Sequence, residues 1–426
     1  MASSPKIVIT GTGAVCSAGS TAGSIWEALK AGASALGPVE RWDSTGWEAP
    51  LGGEIAESNR TLVPDRKLHK SISRTDMFGL YAADQAVQQS GLLQHRESLG
   101  EDAVPTFNDR SGVIAGSGGG GFDSTYDYLP LIAEVDADLP SFGRELGNMV
   151  TPMWLLKNLP NNVLCHVGIR YQFKGTNACI TNHCVSGSLA VAESAESIRS
   201  GEADRMMAVG HDAPLEPESV HYHRQAGLLS GEGLFPFDAQ RSGTVFGDGA
   251  AGVVLETEEA AQARGATILG EFLGSGCVSE GTGVLSIRPD GDGVARAIRM
   301  ALADAGLQSG DIGMICAHGN GTPASDASEA LGIQRVFGEA IPPVTGFKWA
   351  FGHLIAGSGL LDFVLSLEAL REGVVPGIPT LQEADATTGF LPLSREAQAP
   401  TGKTALTICR GFGGMNVVLV IGSCTG

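Results

Sequence analysis

The stretch TNHCVSGSLAVAESAESIRSGEADRMMAVGHDA, residues 181–213, joins a helix of small residues to a buried strand. Residues 185–200 are compatible with a helix throughout, and Gly201 ends that run as a C-terminal cap would. The apolar segment 204–213 then indicates a strand. A helix that returns into a buried strand is the repeating unit of α/β proteins, so this stretch predicts that fold class.

The same alternation continues on both sides of this stretch. The second part of the chain repeats the pattern of the first part, and the two meet near residue 257, where a strand passes into a polar connection. We therefore predict two joined halves, residues 1–257 and 258–426. The expected strands include KIVITGTG (6–13), SGVIAGSGGGG (111–121), GAAGVVLE (249–256), ATILGEFLGSGC (266–277), GMICAHGNGTP (313–323) and TALTICRGFGGMNVVLVIG (404–422).

Composition excludes several classes of protein. The 426 residues are 43% hydrophobic and 18% charged, which is enough apolar sequence for one or two large cores. A formal charge of −19 argues against nucleic acid and anionic membrane as general partners. No apolar run is long enough to span a bilayer and the N-terminal residues lack signal-peptide features, so we expect a cytoplasmic protein. The eight cysteines are dispersed and predict neither a metal site nor a disulfide framework.

The glycine-rich segments do not predict a nucleotide site. GTGAVCSAG (11–19) lies between a strand and a helix but lacks the glycine spacing of a dinucleotide loop. GSGGGG (116–121) lacks the lysine and hydroxyl residue of a phosphate-binding loop. We expect these glycines to form turns or to line a narrow pocket.

Cys184 and two histidines form the strongest chemical signal. Cys184 lies at the first turn of its helix, where backbone N–H groups and the helix dipole favour a thiolate. Alone, a cysteine beside small residues is more often a buried packing residue than a nucleophile. His318 follows the apolar strand MICA and His353 lies five residues after Lys348, each flanked by glycine, which lets a ligand approach the backbone. Together the three residues predict a catalytic site.

These residues belong to an ordered set of motifs that runs nearly the whole length of the chain. The set resembles the β-ketoacyl-acyl-carrier-protein synthases, the elongating condensing enzymes of fatty acid and polyketide assembly. The resemblance implies the thiolase fold, with two pseudo-duplicated βαβαβαββ halves in five αβαβα layers. The motifs are VITGTGAV (8–15), GVIAGSGGGG (112–121), Cys184 with GEAD (201–204), PFDAQRSGTVFGDGA (236–250), HGNGTP (318–323), GHLIAGSG (352–359) and GFGGMN (411–416).

The resemblance assigns roles to the matching positions. Cys184 is implied to be the acyl-accepting nucleophile, and His318 and His353 to act on the malonyl group during a decarboxylative Claisen condensation. Lys348 and Glu329 are implied to form a supporting charge pair. No cofactor is expected, because the substrates are carried on the phosphopantetheine arm of an acyl carrier protein. Phe412 is implied to gate the pocket, and the expected substrate contacts are Thr322, Asn320, Gly119, Arg410, Gly411 and Gly413.

Several positions depart from the family pattern. Asn182 and His183 precede the nucleophile in place of small or hydroxyl residues, and Asn320 stands where threonine is frequent. Arg410 replaces the first aromatic residue of the usual F-G-F-G-G run, which suggests an unusual acyl group or a different loop state. Gly119 is compatible either with a longer acyl channel or with close packing at a subunit interface. We therefore expect a specialised pathway, such as polyene-type polyketide synthesis.

The segment DRKLHKSISR (65–74) is basic within an acidic chain. Carrier proteins are strongly acidic, so Arg66, Lys67, Lys70 and Arg74 are predicted to form the carrier-docking patch. The expected assembly is a homodimer, or a heterodimer with a chain-length factor. Two alternatives stay open: the chain is itself a non-catalytic chain-length-factor-like partner, or it is a non-decarboxylating acyltransferase of the same fold. The retained cysteine and histidines argue against the first, and the lack of a second cysteine in a matching context argues against the second.

Overall fold

A computed structural model describes residues 5–118, 129–150 and 153–424 of the chain. Gly119 lies outside the described residues, so its expected role stays a prediction. The strands are β1 (Ile7–Cys16), β2 (Gly37–Pro38), β3 (Leu51–Gly52), β4 (Ser111–Ser117), β5 (Asn177–Ile180), β6 (Arg205–Asp212), β7 (Gly249–Thr257), β8 (Gly270–Ser279), β9 (Met314–Cys316), β10 (Val344–Thr345), β11 (Thr404–Gly411) and β12 (Met415–Ser423).

Helices alternate with these strands, as the sequence predicts. They are α1 (Ala22–Lys30), α2 (Asn59–Leu62), α3 (Arg74–Ser90), α4 (Leu92–Ser98), α5 (Val104–Asp109), α6 (Leu129–Glu134), α7 (Leu139–Met149), α8 (Trp154–Lys157), α9 (Asn162–Tyr171), α10 (Ser186–Arg199), α11 (Pro217–Gln225), α12 (Glu258–Ala263), α13 (Asp292–Ala305), α14 (Pro323–Phe337), α15 (Lys348–Phe351) and α16 (Ser358–Glu372).

The main sheet contains the same strand pattern twice. Its order is β10-β9-β11-β12-β8-β1-β7-β6-β4-β5, and β1 pairs with β8 at the centre. Outward from that pair, each side has two antiparallel pairings followed by two parallel ones. The two sides therefore share one topology, which is the internal duplication expected for the fold.

The strands on either side of the β1–β8 pair form two layers, and the helices form three layers that alternate with them. α10 and α16 pack against each other in the middle, with α10 against β4 and β6 and α16 against β7, β11 and β12. α3 covers β1, β6 and β7 on one outer face, whereas α13 covers β8 and β12 on the other. The result is the αβαβα layering of the predicted fold class.

A close approach of two turns positions the chemistry. Gly187 in α10 packs against Gly210 of β6 and the backbone of Ala356. A Cβ atom at Gly187 would lie 2.5 Å from the Ala356 carbonyl oxygen, so only glycine permits this spacing. The turn that carries Cys184 is thereby brought beside the turn that follows His353.

In the part of the chain that the structure describes, no helix combines the length and the apolar character needed to cross a bilayer.

Candidate active site

Cys184 lies in a single 3₁₀ turn, His183–Val185, that connects β5 to α10. Val185 is fully buried in the core and anchors the turn, while the side chain of Cys184 reaches a pocket and retains 6% exposure. The predicted helix start is therefore correct to within one turn. Cys184 is both sheltered from solvent and open to a ligand.

His318 and His353 face the same pocket from the other half of the sheet. His318 follows β9, and His353 follows α15. The centroids of their rings are 5.1 Å apart and the ring planes are nearly perpendicular, at 84°. The structure thus brings together Cys184 and the two histidines that the sequence singles out, although 169 residues of chain separate Cys184 from His353.

Fixed hydrogen bonds orient both rings. The backbone N–H of Arg410 donates to His318 Nδ1 at 3.4 Å, which leaves the ring proton of neutral His318 on Nε2. Ser358 Oγ lies 2.7 Å from His353 Nδ1 and accepts the backbone N–H of Leu354 at 2.8 Å. The Ser358 hydroxyl oxygen accepts the Leu354 N–H, so its own proton is free to be donated to His353 Nδ1.

Both rings are held neutral. Burial, followed by the positive charge of Lys348, lowers the pKa of His318 and of His353 well below the usual value. A neutral imidazole whose Nδ1 accepts a hydrogen bond presents its Nε2–H as a donor. The pair is suited to stabilise negative charge that develops on a bound substrate.

Among the described residues, Lys348 and Glu329 do not form the expected pair by direct contact, although the charge of Lys348 acts on Glu329. Lys348 Nζ instead donates to Asp362 Oδ2 at 2.6 Å, and both side chains are almost fully buried. Glu329 accepts the backbone N–H groups of His318 and Gly319, at 2.7 and 3.0 Å. Glu329 therefore fixes the backbone of the His318 turn, while Asp362 balances the lysine.

The thiol of Cys184 differs from the expected thiolate. Burial raises its pKa well above the ordinary value, and the nearby Lys348 only partly opposes this. Desolvation of the anion therefore outweighs the helix N-terminus on which the thiolate prediction relied. Burial thus favours the protonated thiol over the thiolate at this position.

Two further imidazoles lie beside the nucleophile. His183 Nδ1 is 3.0 Å from Cys184 Sγ. His223, on α11, lines the same pocket, and its ring centroid lies 6.0 Å from that of His183. The sequence marks His183 as a departure from the family and as a third candidate imidazole. It gives no signal for His223, which lies in a polar helix with no glycine or strand end beside it.

Phe412 closes one side of the pocket. It begins a turn, Phe412–Gly414, between β11 and β12, and its ring lies 4.7 Å from that of His183 and 5.9 Å from that of His223. Gly413 adopts a left-handed φ of 77°, which a residue with a side chain would disfavour. Gly411 lies so close to the nucleophile that a Cβ there would be 3.5 Å from Cys184 Cβ.

Arg410 contributes to the pocket wall, while its guanidinium hydrogen-bonds with other residues of the protein. It is buried and fully engaged in a network that joins the Phe412 turn to α14 and to the segment after β8. The network therefore fixes the position of the turn that carries Phe412. Arg410 donates to Asn416 Oδ1 at 2.9 Å, to Ser325 O at 2.6 Å, to Glu280 Oε1 at 3.1 Å and to Ser328 Oγ at 3.3 Å.

The remaining expected substrate contacts line the mouth of the pocket, which encloses about 690 Å³ including its opening. Asn320 Oδ1 accepts both the backbone N–H and the hydroxyl of Thr322, at 3.1 and 2.8 Å. Apolar side chains form much of the wall, including Leu228, Phe246, Val284, Leu285, Ile287 and Ile355. A hydrophobic chain fits this lining better than a charged ligand.

The predicted basic patch is only partly available. Arg66, Lys67 and Lys70 are exposed around a short 3₁₀ turn. Arg74, at the start of α3, is half-buried and donates to Asn59 Oδ1 at 2.5 Å and to the Ile55 carbonyl oxygen at 2.7 Å. Arg74 thus stabilises the neighbouring loop through these hydrogen bonds. Arg66, Lys67 and Lys70 remain exposed to a partner.

Comparisons with known proteins agree with this architecture. Residues 4–261 match the family described as Beta-ketoacyl synthase, N-terminal domain, and residues 269–382 match Beta-ketoacyl synthase, C-terminal domain. The chain is 32% identical to Nodulation protein E of Rhizobium sp. (strain N33), over 97% of this chain and 98% of the relative. It is 30% identical to 3-oxoacyl-[acyl-carrier-protein] synthase 2 of Synechocystis sp., over 97% of each.

Solved structures give the same result. A beta-ketoacyl synthase from Burkholderia phymatum STM815 superposes with a TM-score of 0.86 at 28% identity, covering 99% of this chain and 100% of that one. The ishigamide ketosynthase/chain length factor gives 0.84 at 27% identity, covering 99% and 100%. A type II PKS acyl-carrier protein in complex with its ketosynthase bound to the hexaketide gives 0.82 at 25% identity, covering 98% and 99%.

Proposed function

The chain belongs to the β-ketoacyl synthase family of condensing enzymes, and we propose that Cys184, His318 and His353 carry out its decarboxylative condensation of a malonyl unit with a cysteine-bound acyl chain. The observation that carries this assignment is the convergence of one thiol and two neutral imidazoles on a single, largely apolar pocket. The acyl chain occupies the apolar part of that pocket.

The reaction proceeds in two stages. Cys184 Sγ attacks the thioester carbonyl of an acyl-carrier and keeps the acyl group, releasing the carrier thiol. A malonyl-carrier then binds and loses carbon dioxide, and the N–H groups of His318 and His353 stabilise the enolate oxygen that forms. The enolate carbon attacks the acyl-cysteine and gives a carrier-bound 3-ketoacyl product, which regenerates the cysteine.

The backbone N–H groups of Cys184 and Phe412 are the proposed donors to the tetrahedral oxyanion. Support comes from the turn at Phe412, whose preceding residue, Gly411, lies so near the nucleophile that an added Cβ would be in van der Waals contact with Cys184. Backbone donors fixed by a turn need no rearrangement when the charge develops. The Arg410 network holds this turn in place.

The proposed halves 1–257 and 258–426 each supply different parts of the active site. The first half supplies the nucleophile turn, and the second supplies both histidines and the gate. Strand β5, which carries the nucleophile turn, is also one of the two outermost strands of the sheet, and β10 is the other. We assign the β5 edge to a second subunit, either another copy or a chain-length factor, because an outermost strand presents backbone groups for pairing.

Arg66, Lys67 and Lys70 are the proposed landing site for the acyl carrier protein. They are three exposed cations on a chain of net charge −19, so an acidic carrier is repelled elsewhere. Reversal of all three charges to glutamate is expected to raise the KM for the carrier most strongly at low salt, with kcat for the bound substrate unchanged. An equal KM at low salt contradicts the assignment.

The stacked rings favour a flat acyl chain, as in a polyene. His183, His223 and Phe412 line the pocket with their ring centroids 4.7 to 6.0 Å from one another, and Phe246 meets His223 edge-on at 4.8 Å. Conjugated double bonds stack on such rings with about 0.5–1.5 kcal/mol per contact. Acyl-carriers with conjugated chains should therefore acylate the enzyme about 2- to 10-fold faster than saturated chains of equal length.

The function is tested by incubation with acyl-carriers followed by intact-mass spectrometry of the enzyme. An acyl adduct is expected on the unaltered protein and not on Cys184→Ala, and addition of malonyl-carrier should convert the adduct into a 3-ketoacyl-carrier. The same adduct yield in Cys184→Ala means that the nucleophile is misassigned. A stable adduct with no ketoacyl product favours the alternative of a non-decarboxylating acyltransferase.

A further inference from the structure

Burial leaves Cys184 as a thiol, so acyl transfer requires a group that removes its proton. His318 and His353 are poorly placed for that task, because their Nδ1 atoms are already engaged by Arg410 and Ser358. Their Nε2 atoms carry the donor protons that the condensation uses. A separate acceptor beside the sulfur is therefore needed.

His183 is the imidazole in contact with the sulfur. Its Nδ1 lies 3.0 Å from Cys184 Sγ, a distance at which the thiol proton is shared with a ring nitrogen. The protonated thiol is a weak donor and neutral Nδ1 is an acceptor, so the direction S–H to N fits both groups.

The backbone of His183 is held in an unfavourable conformation to make this contact. Its φ of 52° lies in the left-handed region, which costs a residue with a side chain about 1–2 kcal/mol. Ser186 maintains the turn, because its hydroxyl donates to the His183 carbonyl at 2.8 Å and accepts the Asn182 N–H at 2.7 Å. Such strain persists where the surroundings impose it and is concentrated at functional sites.

Neighbouring rings keep the imidazole neutral and in position. Phe412 packs 4.7 Å from its centroid on the pocket side, and His223 lies beyond at 6.0 Å. His223 Nδ1 donates to the Ser219 carbonyl at 2.7 Å, since a carbonyl only accepts. Burial, followed by the effect of His223, lowers the pKa of His183 to about 4, so Nδ1 is unprotonated at neutral pH; the same shift weakens the ring as a base, and the role therefore rests on the short contact between Nδ1 and Sγ.

We propose that His183 is the catalytic base that accepts the Cys184 proton during acyl transfer and returns it to the departing carrier thiol. This inference rests on the proposed acyl-transfer function. As Sγ forms its bond to the thioester carbon, the thiol proton moves to Nδ1. When the tetrahedral intermediate collapses, the bond to the carrier sulfur breaks and that sulfur takes the proton from Nδ1. His183 ends neutral, and no other reactant is consumed.

Two variants test this role without disturbing the turn. His183→Asn retains a residue type that tolerates a left-handed φ but has no basic nitrogen, and His183→Gly tolerates the same φ while leaving room for an added imidazole. Single-turnover formation of the acyl adduct should slow about 10²-fold or more in both. Imidazole in the buffer should restore a saturable part of the rate in His183→Gly and none in His183→Asn.

His221→Asn is the matched control. His221 is an exposed histidine on the same helix as His223 and lies outside the active-site pocket, so adduct formation should stay within about twofold of the unaltered protein. Iodoacetamide alkylation of Cys184 at pH 7 gives a second readout that needs no acyl substrate, and it should slow in both His183 variants.

The outcomes separate this inference from the proposed function. If both His183 variants form the adduct and are alkylated within about threefold of the unaltered protein, His183 is not the base. A slow His183→Gly variant that imidazole does not rescue also overturns the role. If the unaltered protein forms no acyl adduct, the proposed function fails, and the alkylation rates still decide whether His183 accepts the thiol proton.

Discussion

The turn that holds Cys184 and the turns that hold His318 and His353 face one pocket but differ in their hydrogen bonding. On the nucleophile side, Sγ and His183 Nδ1 contact each other in a pair whose proton has to move. On the histidine side, each ring is fixed through Nδ1, so its Nε2 proton stays where it is.

The difference follows from the charge that each side stabilises. Acyl transfer starts from a neutral thiol and needs a transient base, whereas enolate formation needs donors that are neutral and already oriented. Burial serves both sides, because it disfavours the thiolate and the imidazolium alike. One apolar pocket can therefore hold both the neutral Cys184 thiol and two neutral imidazole N–H donors, those of His318 and His353.

The largest expected effect is on the buried ion pair behind the histidine side. Lys348→Met leaves Asp362 buried without its partner and should lower the free energy of unfolding by about 3–5 kcal/mol, measured by urea denaturation. The double variant Lys348→Met/Asp362→Leu should recover most of that loss. If Lys348→Met lowers the free energy of unfolding by less than about 1 kcal/mol, the structure around His318 and His353 does not depend on this ion pair.

A smaller effect is expected from the hydroxyl that orients His353. Ser358→Ala removes the partner of His353 Nδ1 and of the Leu354 N–H, which should cost about 1–3 kcal/mol of stability. Loss of orientation should slow condensation on the order of tenfold to a hundredfold, with acyl-adduct formation unchanged.

Ser197→Ala is the control for that variant, because Ser197 is a buried serine whose hydroxyl donates only to a carbonyl of its own helix. It should leave both stages within about twofold. An equal slowing of acylation and condensation in Ser358→Ala would show that the two sides of the pocket are not separable.

A further effect, which needs no substitution on the histidine side, is expected in the pH dependence of Cys184 labelling. Burial raises the thiol pKa, so the thiolate fraction should keep growing above the ordinary cysteine range. The iodoacetamide rate, corrected with Cys184→Ala, should therefore still rise between about pH 8 and pH 10, by up to about tenfold per unit. A plateau reached below about pH 8.5 would show that a thiolate already prevails on the nucleophile side.

The sequence predicts the fold, and it singles out three residues that the structure places in one pocket, for a physical reason. Strand and helix alternation is a local property, and Cys184, His318 and His353 each lie where an element begins or ends, a place that glycine and apolar runs mark in the chain.

The partners within the site depend on tertiary packing and are not visible in the sequence. Asp362, which pairs with Lys348, lies inside the apolar helix α16, and His223 reaches the pocket from a polar helix. The protonation states of Cys184 and the histidines depend on burial, which only the assembled layers determine. The Arg410 network likewise joins three separate segments.

The most direct test follows the fate of a preformed acyl-enzyme. The unaltered protein and His318→Ala are each loaded on Cys184, separated from free acyl-carrier and mixed with malonyl-carrier, and the adduct and the 3-ketoacyl-carrier are followed by mass spectrometry. We predict that both proteins accept the acyl group, but that the adduct of His318→Ala is consumed about 10²- to 10³-fold more slowly. Equal consumption in the two proteins would contradict the assignment of the imidazole pair to condensation.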